Sequence, residues 1–255
     1  MAPAMESLSK EHVTRESWID IYQDFEFKYS DRQLPFKDLF EKYLPKGGSC
    51  FEVGCYPGRF LIYLGKNFDY TVSGIDWMPG SKGVLENRLR SYGLKVGTII
   101  EDDFLKTRIE SKYDVVCSFG FIEHFQDIES IFRLHANLLK PNGILMISCP
   151  NYRKVRYLLS KWLEPESLQH HNLKMMDFAE WTKPLEENGL EVLHQNYYLT
   201  FRFWSGRSKK KTIRGLARDF VVLALDYSSY AFSSVIDYPN SLLSPLMISI
   251  SKKKA

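Results

Sequence analysis

The 255-residue chain contains no run of about 20 apolar residues free of charge, which excludes a transmembrane helix. Its opening stretch, MAPAMESLSKEHVTRES, lacks the apolar core of a secretory leader, so no signal peptide is expected. There are only four cysteines, Cys50, Cys55, Cys117 and Cys149, and no CxxC pair, so neither a zinc site nor a disulfide framework is indicated. Each lies in or beside an apolar run, which reads as a reduced thiol in a cytoplasmic protein. No internal repeat and no low-complexity tract interrupts the sequence. What is present, 44% hydrophobic and 25% charged residues, matches globular averages and excludes a largely disordered or collagen-like chain. A chain of this length buries about 70–75% of its unfolded surface and needs no covalent staple.

The formal net charge of +3 is unevenly distributed. Residues 201–214 hold six basic residues and no acid: Arg202, Arg207, Lys209, Lys210, Lys211 and Arg214. Lys252, Lys253 and Lys254 follow near the end. Setting those nine aside leaves 25 basic residues against 31 acidic ones, a mildly acidic bulk that argues against a general nucleic-acid binder.

From about residue 48 to 150, short apolar runs alternate with longer amphipathic ones. Strand patterns cover Ser49–Val53, Thr71–Ile75, Val96–Ile100, Tyr113–Ser118 and Gly143–Ser148. Helical patterns cover Arg59–Asn67, Lys82–Tyr92 and Ile128–Leu139, the last ended by the turn signal Pro141-Asn142-Gly143. This alternation predicts βαβ units on a parallel sheet. Residues 11–44 read as two aromatic-rich amphipathic helices, Asp177–Gly189 as another helix, and Glu191–Phe201 and Leu246–Ser251 as two further strands. The expected fold is therefore α/β, a doubly wound, mostly parallel seven-stranded sheet. Residues 1–45 form N-terminal cap helices, residues 46–255 the main domain, and residues 202–243 a late insertion with a helical run from Ile213 to about Ile236. That insertion exceeds an ordinary connection.

The sharpest motif is Phe51-Glu52-Val53-Gly54-Cys55-Tyr56-Pro57-Gly58-Arg59-Phe60, between the first strand and first helix. Glycine after an apolar strand allows a tight turn and close ligand approach, and the helix start offers free N–H groups to an anionic group. Asp76 ends the second strand 24 residues after Glu52, where an acid can accept hydrogen bonds from ribose hydroxyls; it could equally cap a helix. Glu101-Asp102-Asp103-Phe104 follows the third strand and suits an adenine amino group, or is simply surface charge.

With these motifs in place, the stretch from about residue 48 to 151 resembles the class I S-adenosylmethionine-dependent methyltransferases, small-molecule subgroup. Tyr113–Ser118 followed by Phe121-Ile122-Glu123-His124-Phe125 resembles their fourth strand and "EH" turn, and Leu138–Leu145 their entry into the fifth strand. The resemblance implies S-adenosylmethionine as cofactor, held by Glu52, Gly54, Cys55, Tyr56, Gly58, Asp76, Trp77, Asp102, Asp103, Phe104 and Phe119. Tyr56 stands where the family has a middle glycine; a dinucleotide fingerprint would need that glycine for a pyrophosphate, which weighs against a nicotinamide oxidoreductase.

His124 and His171 are the candidate general bases, each with a plain structural alternative, and His170, Asn172 and Tyr22 the candidate substrate contacts. The histidine pair lacks an acidic cluster, so no metal is expected. The Asn/Asp-Pro-Pro-aromatic turn of base methyltransferases and the Pro-Cys of cytosine-C5 enzymes are both missing. The acceptor is thus expected to be a hydroxyl or amine of a small molecule, sugar, glycan or lipid-linked intermediate. A non-catalytic subunit that activates a partner is the competing reading, motivated by Tyr56 and the insertion. The basic and apolar insertion leaves peripheral membrane contact or a homodimer open.

Overall fold

The computed structural model describes residue 19 and residues 27–32, 34–163, 165–201, 213–235 and 238–255. Seven strands form one sheet in the order β3-β2-β1-β4-β5-β7-β6. They are β1 (Ser49–Val53), β2 (Thr71–Asp76), β3 (Val96–Glu101), β4 (Tyr113–Phe119), β5 (Leu139–Pro150), β6 (Leu190–Tyr198) and β7 (Leu246–Lys253). The pairs joining β3 through β5 are parallel, and β7 runs antiparallel between β5 and β6. The described helices are α1 (Lys37–Tyr43), α2 (Arg59–Phe68), α3 (Ser81–Ser91), α4 (Ile128–Asn137), α5 (Lys154–Leu163), α6 (Pro165–Gln169), α7 (Phe178–Glu187) and α8 (Ile213–Val235).

Central strands covered on both faces must be apolar at nearly every position, whereas an ordinary half-exposed strand alternates. The period of two then decides which layer each residue joins. Cys50, Val115 and Met146 pack with Phe40, Leu61 and Leu64 on one face. Their neighbours Phe51, Val116 and Ile147 pack with Phe132 and Trp181 on the other. Because the chain leaves β1 for β2 on one side and later places β4 on the other, the sheet changes direction between β1 and β4. Loops diverge at the carboxyl ends of those strands and leave a crevice, where parallel sheets bind ligands.

Two sequence expectations need correction. The third helix ends at Asn137 rather than Leu139, and Pro141-Asn142-Gly143 lies inside β5 instead of preceding it. Tyr113 pairs with Leu139 but Val115 with Ile144, so β5 carries three extra residues as a bulge, with Asn142 left-handed at φ 62. A proline that cannot donate to the ladder is tolerated at such a bulge. The second N-terminal helix does not reach back as expected: Phe27–Ser30 have no regular structure, Leu34 N–H closes a turn on the Asp31 carbonyl at 3.2 Å, and α1 starts only after Pro35 and Phe36. Phe36 sits at φ 68, held by ring contacts to Phe119 and Tyr198. Most of residues 1–26, with Tyr22, lies outside the described residues, as do Arg202, Arg207 and Lys209–Lys211. The helix expected from Ile213 is α8. No described helix is long and apolar enough to cross a membrane.

Candidate active site

The turn from β1 to α2 is built on left-handed glycines: Gly54 at φ 73 and Gly58 at φ 94. A Cβ on Gly54 would stand 2.9 Å from the Phe121 ring, and one on Gly58 2.8 Å from Leu85, so both backbone strain and space require glycine. The N–H groups of Gly54 and Cys55 donate to the Ile75 carbonyl at 2.9 and 3.2 Å, which pins the turn to the end of β2.

Asp76 completes that junction. Its Oδ2 accepts from Tyr56 N–H at 2.8 Å and its Oδ1 from Met78 N–H at 2.9 Å, so one carboxyl ties together the loops after β1 and β2. Burial pushes its pKa up, against the pull of those two N–H groups. Each oxygen retains a second acceptor direction. At the end of β3, the acids serve neighbouring backbone. Glu101 accepts from Gly80 and Lys82 N–H at the start of α3, Asp102 from Asp103 N–H, and Asp103 from Leu105 N–H at 2.9 Å while pairing with Lys106 at 2.8 Å.

Glu52 is buried beside the turn, and its Oε2 has no hydrogen-bond partner among the described residues. Burial holds its pKa well above the usual carboxylate range, only partly opposed by the Arg59 charge. Such an orphaned carboxyl is costly unless a ligand answers it.

The opposite wall is aromatic. Phe119 stacks on Phe60 with centroids 3.9 Å apart, and Phe36 and Phe40 back Phe119 at 5.9 and 5.8 Å. Phe121 contacts Phe125 at 4.7 Å and Phe104 at 5.9 Å.

The final corner is the 3-10 turn Ile122–His124. His124 Nδ1 lies 3.0 Å from the His170 carbonyl oxygen, which can only accept, so Nδ1 carries the proton and the neutral ring keeps its lone pair on Nε2. That Nε2 is 3.9 Å from Glu123 Oε1, and the His171 ring lies 4.9 Å from the His124 ring. Glu123 is fully buried, its Oε2 has no hydrogen-bond partner among the described residues, and burial pushes its pKa up to about 8. Asn172 fastens this corner: its N–H donates to the Glu123 carbonyl, its side-chain amide to the Phe125 carbonyl, and its Oδ1 accepts from Lys174 N–H. Glu123, His124 and His171 offer donor atoms within 4.8 Å of one another, a set of the kind a divalent cation uses.

These parts line one open pocket at the carboxyl edge of β1, β2 and β4. Glu52, Gly54, Cys55, Tyr56, Gly58, Asp76, Trp77, Asp102, Asp103, Phe104, Phe119 and His124, all singled out from the sequence, line it together. His171 stands behind His124, His170 contributes its carbonyl, and Asn172 spends its amide on the turn rather than on the pocket. No described residue of the late insertion lines the pocket. Sequence reading missed Arg59, Phe60, Met78, Phe121 and Phe125 as lining residues. Arg59 and Phe60 were signalled by following Gly58 directly, and the two phenylalanines by bracketing Glu123-His124. The Tyr56 ring lies 5.8 Å from the Arg88 guanidinium, which also donates to the Pro57 carbonyl at 2.6 Å, so the residue replacing the family glycine is anchored toward α3.

Residues 26–195 match the model of a family described as a methyltransferase domain. Over 141 residues the chain is 28% identical to phosphoethanolamine N-methyltransferase of Triticum aestivum, covering 54% of this chain but 28% of that protein. The chain therefore spans less than a third of that relative's length. Over 166 residues it is 24% identical to the ubiquinone biosynthesis O-methyltransferase of Coxiella burnetii, covering 62% of this chain and 69% of the relative. Among solved structures, Haemonchus contortus phosphoethanolamine N-methyltransferase 2 in complex with S-adenosyl-L-methionine superposes with a TM-score of 0.60 at 14% identity. That superposition covers 95% of this chain and 58% of the other.

Proposed function

Because this chain belongs to the methyltransferase-domain family, we propose that it transfers a methyl group from S-adenosylmethionine to a hydroxyl or amine of a small molecule. One observation carries the reading most: the glycine turn, Asp76 and His124 converge on a single pocket although they come from three different loops. The residues fit that cofactor. Glu52 supplies an orphaned buried carboxyl suited to a cationic group, Asp76 keeps acceptor capacity for ribose hydroxyls, and Arg59 offers a cation to a carboxylate. When bound, the cofactor supplies an electrophilic methyl on a sulfonium. The chain's own work is then to hold donor and acceptor in line, keep water out with the Phe60–Phe119 wall, and receive the acceptor's proton at His124 Nε2.

Asp76→Ala is expected to weaken S-adenosylhomocysteine binding by about 1–3 kcal/mol, the scale of losing hydrogen bonds to a charged group. It should also lower the stability of the ligand-free protein, since Tyr56 and Met78 N–H lose their acceptor. Titration calorimetry and urea unfolding measure the two effects, and unchanged affinity would remove Asp76 from the site. Turnover by the isolated chain against a panel of alcohols, amines and sugars tests the activity itself. Binding without any turnover unless a partner is added would favour the activating-subunit reading.

Dialysis against EDTA is expected to leave turnover unchanged. Activity lost and then restored by magnesium or zinc would instead give the Glu123, His124 and His171 corner to a cation.

A further inference from the structure

Helix α8 is amphipathic the wrong way round for a surface helix of a water-soluble domain. Its bulky outward residues are Phe220, Leu223 and Tyr227, which are 72%, 64% and 77% exposed. Ala217, Ala224 and Ala231 are exposed with them, so among the described side chains positions three and four apart form one apolar stripe with Ser228 as its one interruption. The charged side chains described on this helix, Arg218, Asp219 and Asp226, are all half-buried. Arg218 turns inward: its Nε donates to the Leu163 carbonyl and its guanidinium pairs with Asp219 at 2.9 Å. Val222 and Leu163 form the small apolar contact between α8 and α5. On α5, Leu158 and Trp162 are four residues apart and again face out, 67% and 74% exposed. Single exposed apolar residues are ordinary, but five large ones on two packed helices are not.

The sequence leading into α8 and its first turn carry Arg207, Lys209, Lys210, Lys211 and Arg214, five cations in eight residues without an acid. We propose that the α5–α8 face docks onto an anionic lipid surface, with α8 lying in the plane of the headgroups. An apolar stripe beside a basic segment, with tryptophan and tyrosine among the exposed rings, is the pattern of an interfacial helix. Too little of α8 is continuously apolar for it to cross the bilayer. A self-complementary pair through this face would match the apolar stripe but bring like charge toward like charge, whereas anionic lipid answers both the stripe and the basic run. Docking does not depend on methyl transfer, so it stands or falls separately from the proposed activity.

Vesicle co-sedimentation of the full chain tests it, with phosphatidylcholine alone and phosphatidylcholine mixed with phosphatidylglycerol. The wild type is expected to bind the mixed vesicles, to prefer them over the neutral ones, and to release with added salt. Leu223→Asp and Tyr227→Asp should each reduce binding about tenfold or more. Changing Lys209, Lys210 and Lys211 together to glutamine should abolish the preference for phosphatidylglycerol. The Leu223 and Tyr227 side chains point away from the core, so melting curves of their aspartate variants should match the wild type. The proposal is overturned if the wild type ignores both vesicles, or if the aspartate variants fold and bind undiminished. Sedimentation equilibrium showing a dimer that Leu223→Asp disperses, without vesicle binding, would overturn it in favour of self-association.

Discussion

His124→Ala is expected to lower kcat by about 10²–10⁴-fold, measured on whichever acceptor the isolated chain turns over, while S-adenosylhomocysteine affinity stays within about twofold. The size of the effect follows from the ring's fixed tautomer. With Nδ1–H held on the His170 carbonyl at 3.0 Å, Nε2 is the basic nitrogen, on a residue that lines the pocket. His171 packs against the His124 ring and is not itself one of the residues that line the pocket, so His171→Ala should cost far less, about tenfold or under. Steady-state kinetics together with calorimetry separate the two histidines. Full activity in His124→Ala would leave that residue the role of fastening its turn and send the search for the base elsewhere. An acceptor that is already a neutral amine would show the same insensitivity, so the comparison belongs on a hydroxyl substrate.

Glu123→Gln is expected to stabilise the protein at pH 8 by about 3–5 kcal/mol relative to the wild type, with little difference near pH 4. Burial raises the folded-state pKa from the ordinary 4.5 of a glutamate to about 8. Between those values the unfolded chain gives up the proton while the native protein keeps it. Stability is therefore fully present below about pH 4.5 and declines as pH rises toward 8. Glutamine has no proton to lose and abolishes that decline. Urea unfolding at several pH values reads it directly. Parallel curves for wild type and variant would mean that Glu123 is ionised in the native state, as an ion pair with His124 or a bound cation would require. Glu52, also pushed up by burial, contributes a slope of the same sign that Glu123→Gln leaves in place.

Much of the frame was legible because burial on both faces forces it into the sequence. β1 matched its apolar run from Ser49 to Val53, and Gly54 and Gly58 announced a turn that no other residues could make. Local chemistry read without its partners was less reliable. Pro141-Asn142-Gly143 looks the same whether it ends a helix or bulges a strand, and only the pairing of Tyr113 with Leu139 decides. The aromatic pattern before Lys37 resembled a helix face, yet Phe27 stacks on the Arg88 guanidinium at 4.1 Å without helical structure. The histidine corner joins residues 46 and 47 positions apart, and no spacing rule links Glu123-His124 to His170-His171 across that distance. Asn172 was read as a substrate contact from its place in a polar loop, and the structure turns its amide to backbone.

The double grip of Asp76 has a kinetic side. Two loops that would otherwise have to find each other around an incoming ligand are already cross-braced by one carboxyl, with both N–H donors at 2.8–2.9 Å. On the placement of the cofactor proposed above, capture of its nucleoside half needs no prior folding of this junction, and association should proceed in a single fast phase. On the same placement, the slow steps of a catalytic cycle would fall to acceptor entry and product release.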